Sequence, residues 1–158
     1  MTKRKLFILV SSILAVELVG ALSSLLTGDI KGQYAQMVKP PLAPPGSLVG
    51  IVWLILYFLM GVSLFLLITA EVKRQKIKTD AITLFIFQLL VNFIWSLIFF
   101  GGEWLWLGVA ISLLLDALVL LCILTFRKVS TWAAYLFIPY VLWICFATYL
   151  SIGLAILN

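Results

Sequence analysis

The run Leu48–Ala70, LVGIVWLILYFLMGVSLFLLITA, contains no charged residue from end to end. About 20 apolar residues in a helix rising 1.5 Å each cross a hydrocarbon core of about 30 Å, so this run is long enough to span a membrane. It lacks the apolar/polar alternation of a barrel strand, and in lipid its backbone must hydrogen-bond within its own segment, so it is a helix. The stretch just before it is of opposite character. In Lys39-Pro40-Pro41-Leu42-Ala43-Pro44-Pro45-Gly46 the four prolines donate no backbone hydrogen bond, which predicts a rigid extended cap. A stiff segment leading straight to Trp53 and Tyr57 inside a span suits the roof of a pocket in a membrane.

Working outward, four further runs qualify: Leu6–Leu26, Ala81–Gly101, Leu105–Phe126 and Ala133–Leu157. Composition agrees, with 65% hydrophobic and only 11% charged residues, against the roughly one quarter charged in soluble domains. The expected architecture is an all-α integral membrane protein. It is a five-transmembrane-helix bundle forming one domain over residues 1–158, with the Pro-rich first loop as lid.

Nine basic residues (Lys3, Arg4, Lys5, Lys73, Arg74, Lys76, Lys78, Arg127 and Lys128) fall on one side of this topology, and only Lys31 and Lys39 on the other. The positive-inside rule then puts the N-terminus in the cytoplasm and the Pro-rich loop and C-terminus outside. The net charge of +5 serves topology and contact with anionic lipid, so the bilayer is a partner and nucleic acid is not. The start imitates a signal peptide, with Val19-Gly20-Ala21 as a candidate cleavage site. Its apolar run is too long and is interrupted by Glu17, so the reading is a first span.

Conventional chemistry has little to work with. Cys122 and Cys145 lie inside spans and read as small apolar residues. There is no histidine, no GxxxxGK[ST] loop and no GxSxG, so no metal site and no required cofactor are expected. Aromatics remain. Trp104, Trp106 and Trp132 fall at span ends, where indole sits at headgroup level. Trp53, Trp95 and Trp143 lie within spans, where a buried indole N–H wants a partner. Helical spacing groups Trp53 with Tyr57, Asn92 with Trp95 and Phe99, and Tyr140 with Trp143 and Ala147. Depth along the spans lets these sets converge beneath the loop as a pocket.

Two acids, Glu17 and Asp116, fall near the middles of the first and fourth spans. A carboxylate there costs about 2.5–3.5 kcal/mol on insertion scales, so each is expected to face the interior, water or a partner protomer. Each serves either as a proton or polar site or as a neutral hydrogen-bonding group between helices. Pro139 is expected to free the carbonyl of Tyr135 and kink the fifth span. Small residues recur at four-residue spacing as Ser12, Val16, Gly20 and Ser24, as Gly46 and Gly50, and as Ala147, Ser151 and Ala155. Such stripes suit close packing within the bundle or a homodimer face.

Taken in order along the chain, these residues resemble the translocator protein family, also called the tryptophan-rich sensory protein (TspO) or peripheral-type benzodiazepine receptor family. The match runs through Lys39-Pro40, Pro44-Pro45-Gly46, Trp53 and Tyr57. It continues through Asn92-Phe93-Ile94-Trp95-Ser96, Phe99-Phe100 and Asp116. It closes with Pro139-Tyr140, Trp143 and Phe146-Ala147-Thr148-Tyr149-Leu150.

The resemblance implies a five-helix, commonly dimeric protein that binds porphyrins such as protoporphyrin IX and isoquinoline or benzodiazepine-type ligands in a cavity under the first loop. For some bacterial members it also implies light- and oxygen-dependent porphyrin degradation, whose tryptophans match Trp53 and Trp143. Ligand contacts carry over to Tyr34, Asn92, Trp95 and Ala147, with Pro44 and Pro45 in the roof and Tyr57, Phe99 and Tyr140 beside them. With no histidine, a metal-free flat aromatic ligand is more natural than haem. Two departures stand out: Leu42 and Gln33 replace aromatics usual in the family's lid. No basic residue follows Tyr149 as the eukaryotic steroid-recognition pattern requires, so a bacterial-type member of the cytoplasmic membrane is expected. The alternative from a different class is a small proton-coupled transporter of aromatic cations working through Glu17.

Overall fold

The computed structural model describes residues 2–158. Five helical stretches are long and apolar enough to cross a membrane: α1 (Lys3–Thr27), α3 (Gly46–Thr69), α4 (Gln75–Ser96, prolonged by a π-helical turn Leu97–Gly101), α5 (Leu105–Phe126), and the pair α6 (Thr131–Tyr135) and α7 (Ile138–Leu157). A short helix, α2 (Ile30–Gln36), lies in the first loop. The described residues form no strand. The five-helix membrane bundle is therefore the observed architecture.

Three local features depart from the sequence reading. The Pro-rich stretch holds a turn and is not uniformly extended, and a capped helix that the sequence reading did not include precedes it. Gly28, at φ 91°, ends α1, and the Asp29 carboxylate accepts the Gly32 N–H at 3.0 Å to start α2. Within the Pro-rich stretch, Ala43 N–H donates to the Pro40 carbonyl at 3.3 Å, closing a turn with Pro41 second and Leu42 third at φ 65°. Proline suits the second position and the third demands a left-handed backbone, so a leucine holds a conformation that glycine adopts most easily.

The second departure concerns the last span. It is not kinked at Pro139 but broken two residues earlier, at Leu136–Phe137, and Pro139 sits in the first turn of α7, where no intrahelical N–H is needed. Third, α4 begins at Gln75, so Lys76 and Lys78 lie on its first turn, and the Lys78 ammonium donates to the Ala70 carbonyl at 2.9 Å.

Packing is uneven along the bundle axis. α1 lies along α3, and α5 sits between α4 and α7. In the half away from the loop, Met60, Leu67, Phe85, Val119, Cys122, Phe126 and Phe137 fill the interior completely. Phe126 and Phe137 meet edge-to-face at 4.9 Å, and Phe85 lies 5.8 Å from Phe137. The Ser63 hydroxyl donates to the Ala133 carbonyl at 2.9 Å and ties α3 to α6. Small residues set the spacing: a Cβ on Gly61 would stand 2.5 Å from the Ile13 Cα, and one on Gly20 would enter the Tyr57 ring. Ser12, Val16, Gly20, Ser151 and Ala155 are buried within the bundle, whereas Ser24 and Gly50 of the same small-residue stripes are exposed. Gly61 belongs to none of the stripes read from the sequence and makes the closest backbone approach.

A substitution follows from that approach. Gly61→Val forces α1 and α3 apart against backbone atoms that have no rotamer to yield. Overpacking of this kind costs about 1–3 kcal/mol, so the variant should unfold at lower temperature in detergent than the parent, whereas Gly50→Ala, where a Cβ meets nothing within 4 Å, should not.

Candidate functional site

Toward the loop the bundle opens. A cavity of about 340 Å³ lies under α2, walled by α1, α3, α4 and α7. Its walls carry Trp53 and Tyr57 from α3, Asn92, Trp95 and Phe99 from α4, and Trp143 and Ala147 from α7, so helices far apart in sequence meet there as their depths require. Trp53 and Tyr57 pack with centroids 5.6 Å apart, and Trp95 stacks on Phe99 at 5.2 Å. The π-helical turn contributes here. Its wide turn buries both Phe99 and Phe100, and the Phe99 ring lies where Gly108 of α5 has no side chain.

The floor is polar, a chain of hydrogen bonds that ends at Gln88, whose Nε2 is buried with no partner among the described residues. The Tyr57 hydroxyl donates to Asn92 Oδ1 at 2.9 Å, Asn92 Nδ2 donates to the Tyr140 hydroxyl at 2.9 Å, and that hydroxyl donates to Gln88 Oε1 at 3.0 Å. Tyr140 is wholly buried behind the wall and lines no part of the cavity, so its role is to hold Asn92. Gln88, four residues before Asn92 on the same face of α4, was missed in the sequence, although that spacing was readable.

The roof is held at several points. The Tyr34 ring is buried on the cavity and its hydroxyl donates to the Pro44 carbonyl at 2.8 Å. Burial pushes the Tyr34 phenol above its ordinary range, which favours the protonated, donating form. Pro44 and Pro45 do not line the cavity. Pro44 anchors Tyr34, and Pro45 caps the N-terminus of α3. At the far side the loop is clasped by α7. Asn158 Oδ1 accepts the Val38 N–H at 2.9 Å while its Nδ2 donates to the Val38 carbonyl at 3.0 Å, and the Tyr149 hydroxyl donates to the Pro41 carbonyl at 2.8 Å. Pro40 packs where Gly153 has no side chain. Leu42 points away, 84% exposed, so the leucine at this position adds nothing to the roof.

The two acids part company. Glu17 lines the cavity on α1, with Gly20, Ala21 and Ser24 further along the same wall. Asp116 lines no part of it. Its Oδ2 accepts from the Thr148 hydroxyl at 2.8 Å and ties α5 to α7. Lys31, from α2, is the one basic residue lining the cavity among the described residues. The N–H groups of Trp95 and Trp143 are buried and have no partner among the described residues, which leaves two donors in these walls. On the side between α1 and α3 the lining residues Ala21, Ser24, Gly50 and Leu54 are exposed, and there the cavity meets the bundle surface.

Asn92→Ala takes the acceptor from the Tyr57 hydroxyl, at about 1–3 kcal/mol for a buried group left unpaired, and removes the bond the Tyr140 hydroxyl accepts, while Tyr140 still donates to Gln88. It should lower the unfolding midpoint more than Tyr57→Phe, which removes only the first donor. Asn158→Ala removes both bonds to Val38, and limited proteolysis should then cut the loop between Val38 and Gly46 faster than in the parent while the helical circular dichroism is unchanged.

Comparison with known proteins gives the family of the chain. The model of the TspO/MBR family matches residues 12–157. A Tryptophan-rich protein TspO of Archaeoglobus fulgidus is 36% identical over 152 residues, covering 95% of this chain and 96% of that protein. Another of the same name, from Chlorobaculum tepidum, is 35% identical over 125 residues, covering 79% of this chain and 78% of that protein. A Translocator protein of Ovis aries is 30% identical over 118 residues, covering 75% and 70%. With the matched segment running through all five spans, the chain belongs to the TspO/MBR family of membrane proteins.

Proposed function

We propose that this chain binds a flat tetrapyrrole, protoporphyrin IX, in the cavity beneath the first loop, and that it acts as a sensor or carrier of that ligand in a bacterial cytoplasmic membrane. The observation that carries the reading is an apolar cavity walled by Trp53, Trp95 and Trp143 under a fastened roof. Stacked aromatic pairs contribute about 0.5–1.5 kcal/mol each beyond burial, and three indoles lining one cavity suit a planar macrocycle. A carboxylate-bearing ligand also finds a suitable polar partner. Lys31 stands at the roof end as a cationic partner. The opening between α1 and α3 lets one edge of a macrocycle reach past the wall toward lipid.

The orientation belongs to the same reading. The nine basic residues cluster at the end away from the loop, which supports a cytoplasmic position for that end by the positive-inside rule. The names of the relatives, tryptophan-rich sensory protein and translocator protein, fit a ligand-responsive membrane protein. A bound porphyrin absorbs light and can activate oxygen itself, so the chain needs to supply only orientation and oxidisable indoles. Trp53 and Trp143 are placed for that.

Titration with protoporphyrin IX in the dark should quench tryptophan fluorescence saturably, and no saturable quenching would overturn the reading. Under light and oxygen, the porphyrin spectrum should convert faster with protein than without. The paired change Trp53→Phe and Trp143→Phe should slow that conversion about tenfold or more while altering dark affinity far less. Equal conversion by parent and variant would leave binding in place and remove the oxidative role of these two side chains.

A further inference from the structure

We propose that the cavity has a second specificity, for flat aromatic molecules carrying a protonated amine, with Glu17 as their counter-ion. This rests on the cavity and not on the tetrapyrrole reading. Three observations meet at one corner of it.

The first is position. Glu17 lines the cavity near the middle of α1, and one turn later the Tyr57 ring packs on Gly20, so the carboxylate and the phenol share this corner. The polar ties between α1 and α4 run through Ser23 to the Phe93 carbonyl at 3.2 Å and through Thr27 to Ser96 at 3.0 Å, and Glu17 takes part in neither. A carboxylate at mid-membrane is costly alone and far less so beside a cation.

The second is the direction of the floor's hydrogen bonds. Tyr57 gives its one proton to Asn92 at 2.9 Å, so its oxygen offers only lone pairs to anything else. This corner therefore presents two acceptors, the Glu17 carboxylate and the Tyr57 oxygen, and it suits a ligand that donates N–H bonds. The rings of Trp53 and Tyr57, 5.6 Å apart beside it, add the attraction of aromatic faces for a cation.

The third is polarity along the cavity. Lys31 lies at the roof end and Glu17 on α1 within the span, so a protonated amine is repelled from one end and held at the other. An amphipathic amine dissolved in the bilayer meets the opening between α1 and α3, where Ala21, Ser24 and Gly50 present little bulk. The aromatic body then faces the indoles while the amine faces Glu17.

The test uses the full chain in lipid nanodiscs with two probes of nearly the same shape: proflavine, protonated at mildly alkaline pH, and acridine, neutral there. The readout is the ratio of their affinities within each protein, which cancels differences in the folded fraction. The parent should prefer proflavine about tenfold or more, and Glu17→Gln should bring the ratio close to that of nonspecific partition into empty nanodiscs. A ratio in the parent no greater than in empty nanodiscs overturns the proposal, and so does a preference that survives Glu17→Gln. Should the variant fail to fold, Lys31→Met in the intact parent background decides: it should raise the ratio, and an unchanged or lowered ratio counts against the proposed polarity. Protoporphyrin IX titrated in parallel reports on the tetrapyrrole reading separately, so either specificity can fail while the other stands.

Discussion

Asn92 holds the structure together at the level where packing changes character. Its amide accepts from Tyr57 and donates to Tyr140, and Tyr140 hands its own proton on to Gln88, so one short chain of polar groups joins α3, α4 and α7. In a hydrocarbon environment such groups have no water to fall back on, and each must find its partner inside the protein. Below this chain the bundle is filled with phenylalanine, leucine and methionine, and above it the same helices part around a cavity. The polar layer is both the top of the solid half and the bottom of the hollow one.

That division explains why side chains of similar type play different parts. Phe85, Phe126 and Phe137 interlock with one another and leave no space, whereas Trp53, Trp95 and Trp143 line a wall and keep their other faces free. Tyr57 and Tyr140 both end in a hydroxyl within the same chain, yet one borders the cavity and the other stands behind it. Gly61 serves the solid half by letting α1 touch α3, and Gly20, Ala21, Ser24 and Gly50 leave the wall of the hollow half thin.

Much of this was legible in the sequence, because the constraints that act on a membrane span are few. Length, apolarity and the sidedness of charge define five spans, and a helical period puts Trp53 over Tyr57 and Asn92 beneath Trp95. What escaped notice depends on contacts between segments. The break before Pro139 falls inside the turn from Tyr135 to Pro139, whose hydrogen bond the proline cannot make. A proline rule read on one helix found the distorted turn but not that the helix would end there and α6 dock on α3 and α5 as a separate piece. Tyr140 shares its face with Trp143 but is drawn behind the wall by Asn92 and Gln88, which periodicity does not reveal. The turn at Leu42 and the helix at Ile30–Gln36 are short-range features that prolines and apolar residues nearby obscured.

The clasp between Asn158 and Val38 divides the first loop mechanically. Tyr34 pins the stretch on one side of Val38 to Pro44, and Tyr149 pins Pro41 on the other. A long connection held at intermediate points loses much of the conformational freedom it would have as one free arc. The roof is thus two short arches that meet on a single pier at the end of α7. The helix that bears this pier also carries Trp143 and Ala147, so any tilt of α7 loads the roof and the wall at once.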